Sequence, residues 1–206
     1  FVYGYDGQLL KTIYPDGHWV KEIKDGRNLT IQTITGYGSE QAPELAISSS
    51  TIYDANGNVL KQLEGNKVVR SYKYDNKDRL IREYDGDYDV AGTDYTRYVR
   101  DWAGNVTETL KVEVLTDGTE LTALHTSQKY NVLGQVYESR VQYGSGLNDT
   151  ADRITLYIYD ELGRQVETVV KAEGNYQIYS GYNNDTLVYT DGDRISQQWY
   201  NAAGDL

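Results

Sequence analysis

Carboxylates are the side chains of this sequence that could most readily carry out acid–base chemistry. The 206 residues include 31 Asp and Glu against 20 Lys and Arg, which gives a formal net charge of −11. A general acid–base site needs such groups beside a nucleophile or a second base. No motif of the sequence supplies that partner, so we expect no catalytic residue and no enzymatic activity.

One acidic segment has residue types that could bind a cation. Asp85, Asp87 and Asp89 alternate along the chain, and carboxylate oxygens are the ligands that Ca²⁺ prefers. The glycine of this segment is misplaced for an EF-hand loop, and Thr96 stands where the loop needs glutamate. A solvated loop is the better interpretation, and the three aspartates are kept as a calcium candidate.

Neither histidine has the neighbours that a metal site requires. His18 follows an Asp-Gly turn, His125 lies in an alternating segment, and neither has a second His at ligand spacing. The chain also has no Cys, which excludes a disulfide framework and a cysteine nucleophile. Apart from the calcium candidate we therefore expect no metal and no cofactor.

Aromatic residues could stack on sugar rings. The sequence has 21 Tyr and 3 Trp but a single Phe. The three tryptophans, Trp19, Trp102 and Trp199, are spread along the chain and do not recur in every repeat. A tyrosine ring adds apolar area and a hydroxyl that needs a partner or water. We expect these rings to lie half-exposed on both faces of a thin sheet. Glycan binding is the alternative function.

Charge and hydropathy exclude two further classes of partner. An isoelectric point near 4.6 argues against binding to nucleic acid or to anionic membranes. No apolar run approaches the roughly 18 residues of a membrane span, and the start is not typical of a signal peptide. Because the chain lacks an initiating Met and starts inside a patterned segment, we expect it to be a piece of a longer protein.

The elements that must position these residues are predicted to be strands. Apolar and polar residues alternate at 110–114, 136–143 and 155–159, which is typical of strands with one wetter face. Turn signals such as Asp117-Gly118 separate the alternating segments, as hairpins require. We expect two longer connections, at 86–94 and 144–152, to be exposed to solvent.

A seven-residue pattern recurs along the chain. It reads Tyr, Asp or Asn, two variable residues, Gly or Asp, one variable residue and an aliphatic residue. The copies carry the signature residues Tyr5, Asp6 and Gly7; Tyr53, Asp54 and Gly57; Tyr74, Asp75 and Asp78; Asp101 and Gly104, with Arg100 in the Tyr place; Tyr130, Asn131 and Gly134; Tyr159, Asp160 and Gly163; and Tyr200, Asn201 and Gly204.

Each position of the pattern has a physical role in a strand–turn–strand unit. The Tyr ends an incoming strand, and the Asp or Asn side chain accepts backbone N–H groups in an Asx turn. The Gly, or Asp as a poorer substitute, takes the left-handed conformation, and the aliphatic residue starts the next strand. Because one hairpin is only marginally stable, such units must stack side by side.

The pattern resembles the YD repeat, also called the Rhs repeat. Two segments carry the likeness most closely: residues 72–75, Tyr-Lys-Tyr-Asp, and residues 157–164, where Tyr-Ile-Tyr-Asp is followed by Leu-Gly-Arg. The resemblance implies an all-β fold in which tandem hairpins form a broad, curved, spiralling antiparallel sheet. It also implies that the sheet belongs to a shell enclosing a C-terminal toxin or forming an extracellular scaffold.

The resemblance fixes the remaining expectations. Residues 1–206 are predicted to be a single tandem-repeat segment of about 8 units, with 28–50 as a degenerate or irregular unit. The expected function is a non-enzymatic part of a secreted or cell-surface bacterial shell. The expected partners are neighbouring repeats, an enclosed toxin and, for the alternative function, glycans; edge-to-edge self-association is expected for the isolated segment. The Asp-Pro-x-Gly box of self-cleaving family members is missing.

Overall fold

The computed structural model describes residues 1–4, 7, 9–39, 42–143, 153–171 and 193–200, and every regular element in these ranges is a β-strand. The strands are β1 Val2–Tyr3, β2 Leu9–Ile13, β3 His18–Lys24, β4 Thr30–Ser39, β5 Ala42–Tyr53, β6 Val59–Glu64, β7 Lys67–Tyr74, β8 Leu80–Tyr84, β9 Tyr95–Arg100, β10 Val106–Val114, β11 Glu120–Tyr130, β12 Val136–Tyr143, β13 Arg153–Tyr159, β14 Gln165–Val170 and β15 Arg194–Gln197.

The chain divides into two compact units, Phe1–Tyr95 with Thr116–Gly118 and Thr96–Leu115 with Thr119–Leu206. Within each unit the strands follow one another through the sheet in chain order. Consecutive strands pair antiparallel from β1 to β8 in the first unit and from β10 to β15 in the second. The predicted all-β fold of tandem antiparallel hairpins is confirmed.

Within each unit, turns that share a sequence pattern lie in one row, along the side of the sheet that is formed by strand ends. Because consecutive strands are antiparallel, every connection from an odd-numbered strand to the next even-numbered strand falls at the same edge of its unit. We call this row of strand ends the repeat-turn edge; the term does not refer to the outermost strands of the sheet. In the first unit it carries residues 25–29, 54–58 and 75–79, and in the second 101–105, 131–135 and 160–164. The connections at the opposite edge, the variable edge, differ in length.

A β-bulge follows nearly every repeat turn. Tyr74 pairs with Leu80 whereas Lys73 pairs with Arg82, so Ile81 is an extra residue on the outgoing strand. The same register shift occurs in four other described repeats, where the extra residues are Ile31, Leu60, Tyr137 and Val166. These extra residues are half-buried. A bulge increases the local right-handed twist, so each of these repeats twists its sheet at the same edge.

The core of the second unit lies on one face of β13 and β14. Ile154, Leu156 and Val169 are almost completely buried, and Ile158 packs against them. Their alternation with Thr155 and Tyr157 places them on a single face, as the pattern of the sequence predicts. Such burial of aliphatic side chains contributes about 1.5–3 kcal/mol per residue relative to exposure.

The buried hydrophobic side chains described in the first unit are all aromatic: Trp19, Tyr84 and Tyr95. Trp19 is 3% exposed and lies directly over Gly36, its partner on the neighbouring strand. The indole Nε1 donates to the carbonyl oxygen of Gly38 at 3.0 Å. Because Gly36 has no Cβ, the ring can approach the backbone closely enough to be shielded from water.

Candidate functional site: the repeat turn and its tyrosine ladder

The repeat turn is a five-residue unit with one backbone geometry. Its first N–H bonds to the carbonyl of the fifth residue, and its fourth N–H bonds to the carbonyl of the first, at 2.9–3.3 Å in all six described copies. The fourth residue always has a positive φ, from 58° at Asp78 to 99° at Gly104. These fourth residues are Asn28, Gly57, Asp78, Gly104, Gly134 and Gly163.

The first side chain of each turn satisfies the backbone groups that the turn leaves open. In the copy at 75–79, Asp75 Oδ1 accepts the N–H of Lys77 at 2.9 Å and that of Arg79 at 3.0 Å. Its Oδ2 accepts Nε of Arg79 at 2.7 Å. Partial burial acts to raise the pKa of Asp75, but these donors outweigh it and bring the pKa down to about 2.

The fifth residue varies while the role of the first side chain is kept. Asp160 has Arg164 as its partner, and backbone N–H donation followed by the guanidinium lowers the pKa of that carboxyl. In the copy at 101–105 the amide of Asn105 takes the place of the guanidinium and lowers the pKa of Asp101. A carboxylate that accepts this many hydrogen bonds has little capacity left for acid–base chemistry.

A tyrosine ladder links five described repeats to the ones before them. The hydroxyl of Tyr74 donates to the carbonyl of Val59 at 3.0 Å, and Val59 is the first strand residue after the preceding turn. The four other half-buried motif tyrosines donate to the equivalent carbonyls at 2.8–3.2 Å. These pairs are Tyr53 with Thr30, Tyr130 with Val106, Tyr159 with Val136, and Tyr200 with Gln165.

Neighbouring turns are also joined side to side. Arg27 Nη1 donates to the carbonyl of Asp54 at 2.8 Å, and Asn56 Nδ2 donates to Asp78 Oδ1 at 2.8 Å. In the second unit Gln135 Nε2 donates to the carbonyl of Gly163 at 2.7 Å. Neighbouring repeats are therefore held together by hydrogen bonds between their turns as well as by strand pairing.

The repeat turn at 25–29 was not predicted from the sequence. Lys24 replaces the motif Tyr and Asn28 replaces the Gly, yet Asp25 Oδ1 accepts the N–H groups of Arg27 and Leu29 as in the other copies. The signal was present, because Asn is the residue other than Gly that most readily adopts positive φ. The described residues of the interval 28–50, which was expected to be degenerate or irregular, are the end of this turn and parts of β4 and β5, whose pairing has a register shift between Tyr37 and Gly38.

A lysine lies between two members of the calcium candidate. Lys61 Nζ is 2.7 Å from Asp87 Oδ1 and 2.6 Å from Asp89 Oδ2. The hydrogen bond to Asp87, then that to Asp89, raises the pKa of Lys61, so the ammonium stays charged. Within the described ranges no group of three His, Asp or Glu side chains could hold a metal ion. The geometry of Asp87 and Asp89 is that of an ion pair, and Asp85 is not part of it.

The connection 85–94 packs onto the sheet instead of projecting into solvent along its whole length. The Oγ of Ser71, which is fully buried, donates to the carbonyl of Gly86 at 2.6 Å and accepts the N–H of Tyr88 at 2.9 Å. The ring of Tyr88 then meets Tyr84 edge to face at 5.8 Å and lies 4.6 Å from the ammonium of Lys61. Residues 86–88 and 93 are half-buried, whereas 85, 89–92 and 94 are exposed, so the expectation of a solvated loop holds for part of the connection.

The tryptophans and histidines lie in unlike environments. Trp102, at the tip of a repeat turn, is 93% exposed and Trp199 is 78% exposed, in contrast to the buried Trp19. His18 Nδ1 lies 2.5 Å from Asp16 Oδ1. His125 Nε2 lies 3.2 Å from Glu108 Oε2 without the alignment of a hydrogen bond.

Some predicted residues fall outside the described part of the chain. They are Tyr5, Asp6, Asn201, Gly204 and the connection 144–152. Gly7 is described and has φ 78°. In the described ranges, none of the chain folds into a helix with the length and apolarity that a membrane crossing requires.

Comparison with solved structures shows where this fold occurs. A chain of the Photorhabdus luminescens Tc holotoxin pore with a mutated TccC3 matches with a TM-score of 0.61 and 20% identity over 84% of this chain and 9% of that chain. A chain of the TcdB2-TccC3-TEV crystal structure gives a TM-score of 0.58, 20% identity and the same coverage. The chain thus spans 9% of the length of each, and the likeness shows a shared fold. No family model and no curated protein matches the sequence significantly.

Proposed function

We propose that this chain is a non-enzymatic structural segment of a YD/Rhs-type repeat shell in a secreted or surface-exposed bacterial protein. In that role the sheet is a wall that encloses or displays a C-terminal toxin or effector. The work of the segment is geometric, since strands add side by side and the repeat turns fix their spacing. Its partners are neighbouring repeats and the enclosed cargo.

The observation that carries the proposal is the repeat-to-repeat bonding at one edge. Among the described residues, five motif tyrosines bind the preceding repeat, and a bulge follows the turn at that edge in most copies. Twist that accumulates at one edge makes a long run of such repeats coil into a curved wall. The shared fold with chains of Tc toxin structures supports the same role.

Electron microscopy of the full-length parent protein tests the proposal. We expect a hollow particle whose wall contains these repeats, and protease resistance of the region downstream of them. A variant lacking one strand of the wall should lose that resistance, while a variant lacking a complete repeat should keep more of it. A solid particle without a cavity would rule the shell out.

A second candidate function is glycan binding, which the exposure of Trp102 and Trp199 favours. Indole rings in water present a face on which sugar rings can stack. A glycan array probed with the chain and with its Trp102→Ala and Trp199→Ala variants tests this function, with the buried Trp19 left intact. Binding that both substitutions abolish supports it, and an array without any signal removes it.

A further inference from the structure

The single Asn-Gly pair of the sequence, Asn56-Gly57, lies within the repeat turn at 54–58. The side-chain amide of an asparagine can be attacked by the backbone nitrogen of the following residue. That attack is easiest when the following residue is glycine, because no side chain shields the nitrogen. Asn56 is exposed, so water can reach the product of the attack.

The attacking nitrogen is less restrained here than in the other turns. The N–H of Gly57 lies 3.3 Å from the carbonyl oxygen of Asp54, the longest of the six equivalent bonds. In the five other described copies this distance is 2.9–3.1 Å. A hydrogen bond at the long end of the range holds its donor more weakly, which leaves the nitrogen freer to react.

We propose that Asn56 is a site of spontaneous deamidation and that the reaction weakens the contact between two neighbouring repeat turns. The nitrogen of Gly57 gives its proton to solvent and bonds to Cγ of Asn56, while the side-chain NH2 group takes up a proton from solvent and leaves as ammonia. Water then adds to either carbonyl of the resulting succinimide and opens the ring. The products are aspartate and isoaspartate at position 56, and no oxidant or reductant takes part.

The location of Asn56 gives the reaction a structural consequence. Its Nδ2 donates to Asp78 Oδ1 in the next repeat turn, and Asn58 Nδ2 donates to the same oxygen, both at 2.8 Å. Deamidation replaces the first donor with a carboxylate that faces Asp78. A hydrogen bond between two repeats therefore becomes a repulsion between like charges.

Incubation of the 206-residue chain at neutral and mildly alkaline pH, followed by peptide mapping, tests the reaction. We expect a mass gain of about 1 Da in the peptide that contains Asn56, formed faster at the higher pH. Asn105 and Asn131, each followed by Val, are internal controls that should stay unchanged. The Asn56→Gln variant should not gain mass. Equal modification at the control asparagines, or none at Asn56, would overturn the proposal.

Hydrogen exchange tests the structural consequence separately. The Asn56→Asp variant carries the aspartate product, whereas Asn56→Ala removes the donor without adding charge. We expect several-fold faster exchange at the amides of Asn58 and Asp78 in the first variant and a smaller change in the second. If Asn56→Asp exchanges like the unmodified chain, the proposed weakening of the contact between the two turns is refuted.

Discussion

At the scale of single residues, five of the 21 tyrosines have a role that phenylalanine could not fill. The motif hydroxyls do not point to water, as the sequence suggests, but donate to backbone carbonyls of the preceding repeat. Phenylalanine would fill the same area and leave those carbonyls without this donor. The hydroxyl is therefore a link between repeats.

Removing one hydroxyl of the ladder should destabilise the chain. Tyr74→Phe and Tyr159→Phe each delete a hydrogen bond to a carbonyl in a half-buried setting. We expect a loss of about 0.5–1.5 kcal/mol in the free energy of unfolding for each, measured by urea denaturation. Tyr3→Phe, at an exposed tyrosine near the chain start, is the matched control. Losses equal to that of the control would show that the hydroxyls contribute nothing.

Acid should weaken the chain through the turn carboxylates. The pKa of Asp75 is about 2 in the folded chain, against an ordinary value of 3.8. A depressed folded pKa adds stability that is fully present above the ordinary value and is lost as the pH falls through about 2. In Asp75→Asn the side chain still accepts hydrogen bonds but does not titrate, so stability should fall less steeply with pH in this window. Urea unfolding at a series of pH values measures the difference, and identical slopes would contradict it.

At the scale of elements, local chemistry explains what the sequence reveals and what it hides. The core face of β13 and the conformation of Gly163 follow from alternation and turn chemistry, which depend on adjacent residues. The acceptor of Tyr159 lies in the preceding repeat, so no local pattern predicts the ladder. The turn at Asp25 was hidden because two of its signature positions are substituted.

Local patterns could not predict the packing of the connection 85–94 either, because its anchor, Ser71, lies on β7, 15 residues before Gly86. Ser71→Ala leaves the carbonyl of Gly86 and the N–H of Tyr88 without this partner in a buried site. We expect a loss of about 1–3 kcal/mol and faster amide exchange at Tyr88. Ser49→Ala, at an exposed strand position, is the control. Unchanged exchange at Tyr88 would show that the hydroxyl does not hold the connection.

The contact of Trp19 with Gly36 makes a sharp prediction about β3 and β4. A Cβ at position 36 would overlap the indole ring. We expect Gly36→Ala to destabilise the chain by about 1–3 kcal/mol and to shift the tryptophan emission to the red as the ring becomes wetter. Gly26→Ala serves as the control, since nothing lies within 4 Å of a Cβ there. An emission spectrum that does not move would argue against the close packing.

At the scale of the whole molecule, the fold is built from similar repeats, and each repeat is stabilised by its contacts with the adjacent ones. Deletion of residues 131–159 joins Tyr130 to Asp160 and keeps the phase of the motif. Because contacts among the described strands join only consecutive ones, we expect a folded β-protein with a lower unfolding temperature. Deletion of 131–143 removes one strand, reverses the direction of all later strands and should prevent folding of the second unit. Circular dichroism compares the two variants, and an unfolded first variant would contradict the repeat description.

The unequal connections of the variable edge have a consequence for how such a chain can change. Strand register in the first unit is set at the repeat-turn edge, where every connection has the same length. At the opposite edge the connections range from the tight turn at Gly65-Asn66 to the folded segment 85–94. Extra residues there lengthen a surface loop without shifting a single strand pair. The repeat-turn edge is thus constrained in length, whereas the variable edge can accept inserted loops.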